Sequence, residues 1–257
     1  MNNQEILALF DAQERRNVTF PDMRRDVCAH VVRYVGTPSN PSFVLYSHLN
    51  KTNADGAIQE QIDFFSQRQL SFEWKVYDHD KPSDLLKRLL DSGFELEDTD
   101  AVMVLDVHDA PATLLPSPNV DVRPVTRPEG LDDVRRVEEQ VWGGDFDRIQ
   151  GRLRAHLQIP GLLSVYVAYV DDTPACAGWT YYNANSDFAG LWGGSTLEQY
   201  RGRGLYTALL AARVQEAIRR GRRFLTIDAN PMSQPIVSRY GFRLLAYAHA
   251  CRWKNVT

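Results

Sequence analysis

The distribution of apolar residues along the chain predicts alternating helices and strands. The clearest pattern spans residues 193–242, where an extended segment leads into a turn, a helix and a buried strand. Apolar side chains recur at helical spacing after the turn, at Leu205, Leu209, Leu210, Val214 and Ile218. Gly221 is placed to end this helix. Residues 224–227 (FLTI) form a short apolar run of the kind that occupies buried strands.

The first half of the chain shows a similar succession of elements. Helices are predicted at 3–16, 21–34, 57–69 and 82–92, and strands at 42–48, 72–77 and 101–105. A helix that ends in Gly-Phe occurs twice, in LLKRLLDSGFEL and in IVSRYGFRLL, 148 residues apart. This repetition predicts two related modules in tandem.

The second half begins after residues 109–119 (DAPATLLPSPN), which contain three prolines and are predicted to form a linker. The pattern beyond it predicts helices at 131–141 and 145–157, and strands at 120–125, 163–170, 175–182, 188–196 and 243–253. The expected fold class is therefore α/β (α+β), with one module at 1–108 and a second at 120–257.

Composition limits the possible partners and surroundings of the protein. Its 257 residues are 44% apolar and 24% charged with a net charge of −4, which indicates a soluble globular protein without affinity for nucleic acid or membranes. No apolar run reaches the length of a membrane span, and the N-terminus does not resemble a signal peptide. Three separated cysteines without a CxxC motif favour a reducing, cytoplasmic setting. We expect the protein to be a monomer or a homodimer. The histidines show no metal-ligand spacing, so no metal site is expected.

The turn before the long helix has the chemistry of an anion site. Its two glycines, Gly202 and Gly204, stand where the helix begins. The first amides of a helix have no internal partner, and the helix dipole places positive potential there. Glycines let an anion approach these amides, and Arg201 and Arg203 add positive charge. The turn is therefore predicted to bind a phosphate or pyrophosphate.

Two common phosphate motifs do not fit this turn. A P-loop needs Lys-Ser or Lys-Thr after its glycines, and a dinucleotide fingerprint needs a third glycine where Thr207 stands. Glutamine, two residues, Gly202, one residue and Gly204 before an amphipathic helix instead resemble the acyl-CoA pyrophosphate loop of the GNAT superfamily of N-acetyltransferases. Asn230 and, eleven residues later, Gly241 extend the resemblance, which covers about residues 120–253. The alternative is a basic surface turn on an ordinary α/β domain.

The resemblance implies two GNAT-like modules, each a mixed, mostly antiparallel sheet flanked by helices. It also implies that two parallel strands separate to admit the pantetheine arm of acetyl-CoA. The residues expected to contact acetyl-CoA are Gly194, Ser195, Thr196, Arg201, Gly202, Arg203, Gly204, Leu205, Tyr206, Thr207, Asn230 and Ser233. In the first module the matching turn has a single glycine, Gly56, beside Asp55, so that module is expected to bind no CoA.

The reaction implied is direct attack of an amine on the thioester within a ternary complex. A general base is required, and the candidates are Glu198, Glu139 and Asp228. Each of these carboxylates also has an ordinary structural interpretation, as part of a solvated turn, a helix surface or a strand end. Where many family members carry a proton-donating tyrosine this chain has Val237. The CoA thiolate could then leave unassisted or take a proton from water, or Tyr206, Tyr240 or Ser233 could replace the tyrosine.

Aromatic residues cluster in the segments that form the acceptor pocket in this family. Trp142, Trp179 and Tyr181 are the candidate acceptor residues, and an aromatic wall suits an apolar or cationic small-molecule amine. Any one of these side chains could equally belong to the core of the sheet. Two functions stay open at this point, an acetyl-CoA-dependent N-acetyltransferase and a non-catalytic acyl-CoA-binding or regulatory module.

Overall fold

The computed structural model describes residues 1–37, 40–114 and 120–255. The helices are α1 (Asn3–Phe10, continued by a π-helical turn, Asp11–Arg16), α2 (Ala54–Ser66), α3 (Leu85–Asp91), α4 (Leu131–Trp142), α5 (Asp147–Leu157), α6 (Leu205–Arg219) and α7 (Gln234–Ser238). The strands are β1 (Arg24–Val27), β2 (Val31–Val35), β3 (Ser42–Ser47), β4 (Phe72–Tyr77), β5 (Glu95–Asp106), β6 (Asp121–Pro124), β7 (Leu163–Val170), β8 (Thr173–Tyr181), β9 (Phe188–Thr196), β10 (Phe224–Ala229) and β11 (Arg243–Trp253).

The chain folds into two compact units. Unit 1 contains residues 1–103, 228–234 and 244–257, and unit 2 contains residues 104–227 and 235–243. The units and the predicted modules divide the chain differently at its C-terminal end, because β11 pairs antiparallel with β4 and is counted in unit 1. The predicted linker 109–119 is counted in unit 2, and its residues 115–119 lie outside the described residues.

Unit 1 is built on strands in the order β1-β2-β3-β4-β11-β5. β1, β2 and β3 are antiparallel neighbours, whereas β3 and β4 run parallel because α2 connects them. The core joins α2 to β4, where the rings of Phe65 and Phe72 stack with centroids 4.3 Å apart. Trp74 is 1% exposed in the same cluster.

The predicted helix at 21–34 is wrong, because this segment forms the hairpin of β1 and β2. Pro21 suggested a helical first turn, but β-branched valines follow at Val31 and Val32, and such residues favour extended backbone. Val32 and Tyr34 are buried together with Val18, and the Tyr34 hydroxyl donates a 2.6 Å hydrogen bond to the Val18 carbonyl. Tertiary burial therefore outweighs the local helix signal.

Unit 2 is built on strands in the order β10-β9-β8-β7-β6. β9 and β10 run parallel and α6 connects them, while the other neighbours are antiparallel. Alternate residues of β7 face opposite sides of the sheet. Val165 and Val167 pack in a cluster with α4 and α5, whereas Tyr166 and Ala168 pack with Leu205 and Leu209 of α6. The sheet of unit 2 therefore has α4 and α5 on one face and α6 on the other.

Candidate functional site

The parallel strands of unit 2 pair along only part of their length. Residues 188–190 of β9 pair with residues 224–226 of β10, and the register ends at Gly190 although β9 continues to Thr196. On its other edge β9 stays paired with β8 as far as Thr196. Within the described residues, the β10-side edge of β9 therefore has no strand partner from 191 to 196. Backbone groups along this edge are available to an extended ligand.

The same stretch of β9 contains a β-bulge. Ser195 pairs with Ala177 and Gly193 pairs with Gly178, so Gly194 is an extra residue in β9. Gly193 and Gly194 have φ of +67° and +92°, a region that side chains disfavour. Close packing adds to this requirement, because a Cβ on Gly193 would lie 2.6 Å from the Trp179 ring. The bulge reorients the backbone of β9 at the point where the strand stands apart from β10.

The glycine turn that follows β9 leads directly into α6. Gly202 and Gly204 have φ of +75° and +77°, and no atom lies within 4 Å of the Cβ position of either residue. Gly204 is the N-cap of α6 and provides no side-chain cap, and the first turn of the helix carries no acidic residue. Free amides and the positive end of the helix dipole therefore face open space, which is an arrangement that binds phosphate groups.

The two arginines of this turn are exposed and flank the glycines. Arg201 Nε donates to the Thr196 carbonyl at 3.3 Å, and Arg203 lies over the Tyr200 ring at 5.4 Å from its centroid. Both side chains therefore stay beside the turn while their charges remain available to a ligand. The remaining Thr196 contact is internal, from its hydroxyl to Cys176 Sγ at 3.1 Å.

On the α6 face, Tyr206 lies against the bulge. Its Cε2 atom is 3.0 Å from the Cβ position of Gly194. Burial raises the pKa of the Tyr206 hydroxyl, so this group keeps its proton at neutral pH. The neighbouring Thr207 hydroxyl is hydrogen-bonded to the Tyr240 hydroxyl at 2.5 Å. Val237, at the position of the family tyrosine, is 1% exposed and carries no proton donor.

A buried arginine lies beside Tyr206 behind the bulge. Arg213 is fully buried, and its Nη1 donates to the Trp192 carbonyl at 3.2 Å. Its Nη2 lies 3.5 Å from the Cβ position of Gly194 and, like Nε, has no hydrogen-bond partner. Burial lowers the pKa of the guanidinium, and no carboxylate among the described residues forms an ion pair with it. Its charge therefore favours negative charge at the bulge, because low dielectric weakens screening.

On the opposite face, α4 places a carboxylate at the bulge. Glu138 is 5% exposed, and the Ser195 hydroxyl and the Trp142 indole lie beside its carboxylate and lower its pKa against the larger effect of burial. Trp142 Nε1 also donates to Ser195 Oγ at 2.8 Å. Burial raises the pKa of Glu138 to about 7, although these two donors act in the opposite direction. A buried carboxylate with such a pKa can gain or lose a proton at neutral pH.

The carboxylates proposed from sequence occupy other positions. Glu139 accepts from Arg135 Nε at 2.7 Å and from the Phe146 amide at 3.4 Å, so it connects α4 to the loop before α5. Glu198 is exposed in the short helical turn after β9. Asp228 pairs with Lys75 at 2.5 Å in unit 1.

Sequence reasoning missed Glu138, although the pattern held a signal for it. Leu131 and Val134 form the buried stripe of α4, and residue 138 continues that stripe at helical spacing. A carboxylate in a buried stripe is unusual unless it has partners, so the stripe favours Glu138 over Glu139 as a functional residue.

The aromatic candidates divide between surface and core. Trp142 is 63% exposed at the end of α4. Trp179 is buried beneath Gly193, and the Tyr181 hydroxyl is hydrogen-bonded to His156 Nδ1 at 2.9 Å.

Two further candidate residues, Asn230 and Ser233, lie in unit 1. Asn230 Oδ1 accepts from the amides of Met232 and Ser233 at 3.0 and 2.9 Å, and so forms the turn that precedes α7. Their contact with a ligand stays a prediction.

The pKa of Glu138 predicts a pH-dependent stability. The unfolded carboxyl titrates near 4.5 and the folded one near 7, so between these values the folded protein binds the extra proton. The free energy of unfolding should therefore fall by roughly 3 kcal/mol through this group as the pH rises across that interval. Glu138→Gln should remove this dependence and be more stable than the wild type at pH 8, as measured by urea unfolding at several pH values. Equal pH slopes in Glu138→Gln and in a Glu139→Gln control would contradict this assignment.

Two features that bear on function concern the described ranges 1–37, 40–114 and 120–255. None of the helices found there combines the length and the apolar character that crossing a bilayer requires. No group of three or more His, Cys, Asp or Glu residues in those ranges is arranged to hold a metal ion.

Comparison with known proteins places the fold. No protein-family model and no curated protein matches the sequence. A solved GCN5-related N-acetyltransferase from Kribbella flavida is similar in structure with a TM-score of 0.72 and 15% identity, covering 96% of this chain and 94% of that one. A GCN5-related N-acetyltransferase from Sphaerobacter thermophilus matches with a TM-score of 0.58 and 16% identity over 99% and 86% of the two chains. A tandem GNAT protein from the clavulanic acid biosynthesis pathway matches with a TM-score of 0.62 and 12% identity over 100% and 89%.

These likenesses establish the fold. The chain has the fold of the GNAT acetyltransferases, and the predicted fold class and the resemblance on which it rested are confirmed.

Proposed function

We propose that the protein is an acetyl-CoA-dependent N-acetyltransferase that acts on the amine of a small molecule. The observation that carries the proposal is the continuity of β9, the glycine turn and α6. A bulge at residues 193–195, a strand edge that has no partner among the described residues and an open helix N-terminus follow one another along the chain. In an acyl-CoA the thioester, the extended pantetheine arm and the pyrophosphate follow one another in the same order.

The donor is held mainly by backbone groups in this proposal. Arg201, Gly202, Arg203 and Gly204 and the first turn of α6 (Leu205, Tyr206 and Thr207) bind the pyrophosphate through amides and positive charge. Residues 194–196 pair with the pantetheine arm along the open edge of β9. Asn230 and Ser233 are carried from the resemblance as further pantetheine contacts.

The reaction is direct transfer within a ternary complex. The amine nitrogen attacks the thioester carbonyl carbon, and negative charge develops on the carbonyl oxygen. A backbone amide at the bulge stabilises this oxygen, and loss of one such donor typically costs about 2.7–4 kcal/mol of barrier. The buried charge of Arg213 adds positive potential at the same place.

The departing thiolate of CoA takes a proton. Val237 supplies none, and we assign this proton to Tyr206, whose ring touches the bulge and whose pKa is raised by burial. Tyr206 holds its proton at neutral pH, which is the form that a general acid needs, and the phenolate left after the transfer regains a proton from solvent.

The acceptor binds on the α4 side of the bulge in this proposal. Trp142 offers an exposed indole face there, which suits an apolar or cationic amine. Trp179 and Tyr181 shape the sheet beneath it.

The three cysteines are free, as expected of the proposed cytoplasmic setting. The expected assembly is a monomer or homodimer.

A turnover assay separates this proposal from a non-catalytic acyl-CoA-binding module. The full-length protein is incubated with acetyl-CoA and a panel of alkylamines and arylamines, and release of the CoA thiol is followed. Thiol release that depends on the amine, with the acetylated amine detected by mass spectrometry, supports the enzyme. Binding of acetyl-CoA without any amine-dependent release supports the binding module instead.

We expect each chain to bind one CoA. In unit 1 the turn that matches the glycine turn is closed by its own side chains, because Asn50 Oδ1 accepts from the amides of Thr52 and Asn53 at 2.8 and 3.1 Å. Asp55 adds negative charge in the first turn of α2. These amides are therefore not free for a pyrophosphate. Native mass spectrometry with saturating acetyl-CoA should show a single bound molecule, and a second one would contradict the prediction.

A further inference from the structure

The structure identifies a buried carboxylate at the bulge that no sequence motif indicated. Glu138 is the fourth residue before Trp142 on α4, so both side chains lie on the same side of the helix. Trp142 Nε1 donates to Ser195 Oγ at 2.8 Å, and both the Ser195 hydroxyl and the Trp142 indole lower the pKa of Glu138 against the larger effect of burial. Ser195 follows the extra residue of β9 directly. The Trp142–Ser195 hydrogen bond therefore connects α4 to the bulge beside Glu138.

One oxygen of this carboxylate has an unused hydrogen-bonding capacity. Glu138 Oε1 is buried and has no hydrogen-bond partner among the described residues. An unpartnered oxygen on a buried carboxylate is costly, and in native proteins it calls for an explanation. A bound amine, or a water that bridges to one, would supply the missing donor.

Glu138 has no charged partner among the residues that the structure describes. The groups that act on its carboxylate are the neutral Ser195 and Trp142. The Cys176 thiol of β8 packs on the α6 face of the sheet, and burial raises its pKa to about 11. On α4 itself, Arg135 is paired with Glu139 and Asp147. No described cation neutralises Glu138, so its proton affinity is set by burial.

From this geometry we propose that Glu138 is the general base that takes the proton from the acceptor amine. The proposal rests on the acetyltransferase function proposed above. As the amine nitrogen bonds to the thioester carbon, one N–H proton passes to the Glu138 carboxylate, directly or through one water. The carbon–sulfur bond then breaks, the thiolate takes a proton, and the amide and free CoA leave. Glu138 returns the first proton to solvent, so the cycle is balanced.

Ser195 and Trp142 are positioning residues in this scheme. Their donors hold the carboxylate toward the bulge and favour its charged form. Removing the Ser195 hydroxyl should therefore raise the pKa of Glu138 further, whereas the backbone of the bulge stays in place. A purely structural role for Ser195 would not move a pH profile.

The test measures the pH dependence of kcat/KM for full-length wild type, Glu138→Gln, Glu139→Gln and Ser195→Ala. The acceptor is an arylamine that is already neutral at about pH 6, so that its own ionisation does not contribute to the pH dependence. The wild type should show an ascending limb of kcat/KM with an apparent pKa of about 7. Glu138→Gln should lose that limb and roughly 10²–10⁴-fold in kcat. Glu139→Gln should stay within about threefold of the wild type, and Ser195→Ala should move the limb to higher pH.

Titration of each variant with acetyl-CoA shows whether a loss of activity comes from a loss of binding or from a loss of chemistry. Retained binding by Glu138→Gln, together with cooperative unfolding, shows that the loss is chemical. A Glu138→Gln variant that keeps the wild-type rate and limb overturns the assignment of the base while leaving the acetyltransferase standing. A wild type that binds acetyl-CoA yet acetylates no amine overturns both proposals.

Discussion

Gly204→Glu is expected to lower the affinity for acetyl-CoA by more than about 100-fold. Gly204 is the N-cap of α6, and its Cβ position faces open space where the pyrophosphate is proposed to lie. A carboxylate there repels the diphosphate and competes for the free amides of the first turn. Isothermal titration measures the change, and unchanged affinity would place the donor site elsewhere.

Gly204→Gln is the matched control for this variant. Glutamine has the same length and meets the same backbone strain at φ +77°, roughly 1–2 kcal/mol, but adds no charge. Both variants should therefore unfold at similar temperatures, while the glutamine variant loses less than about tenfold in affinity. Equal losses in the two variants would show that size, and not charge, excludes the ligand.

Gly193→Ala is expected to destabilise the protein by about 2–4 kcal/mol. Two costs combine at this position. The backbone has φ of +67°, and the added Cβ would lie 2.6 Å from the buried Trp179 ring. Because that ring is held by core packing, it cannot move away without disturbing Phe146 beside it. Denaturant unfolding at neutral pH measures the loss.

Gly221→Ala separates the two costs. Gly221 has φ of +69°, close to that of Gly193, but no atom lies within 4 Å of its Cβ position. It should therefore show only the backbone cost of roughly 1–2 kcal/mol. If both variants lose the same stability, the contact between the bulge and Trp179 contributes nothing.

The sequence by itself determined the elements whose signals are local. The strand predicted at 188–196 is β9 to the residue, and those predicted at 72–77 and 163–170 are β4 and β7. Their apolar patterns match the period of the structure they form, so no distant contact was needed to define them. The glycine turn was also visible, because glycine tolerates positive φ at little cost, and Gly202 and Gly204 both adopt it.

Tertiary structure decided which side chains reach the bulge. Glu138 and Glu139 are neighbours in sequence, but one residue turns a side chain by about 100° around a helix. Packing of Leu131 and Val134 against the sheet fixes that rotation, which buries Glu138 and leaves Glu139 to pair with Arg135. The apolar stripe of α4 indicates which glutamate is buried, but only the tertiary structure shows that the buried one lies at the bulge.

Contacts distant in sequence decided the remaining features in the same way. β2 is a strand because it pairs with both β1 and β3 and is buried, although Pro21 favoured a helix. Arg213 lies behind the bulge because Gly178 and Gly194, on two different strands, leave room for its guanidinium. The sequence determined what each segment forms, since that depends on neighbours along the chain. The structure decided what the segments bring together, since burial and charge at one point depend on residues far apart in the sequence.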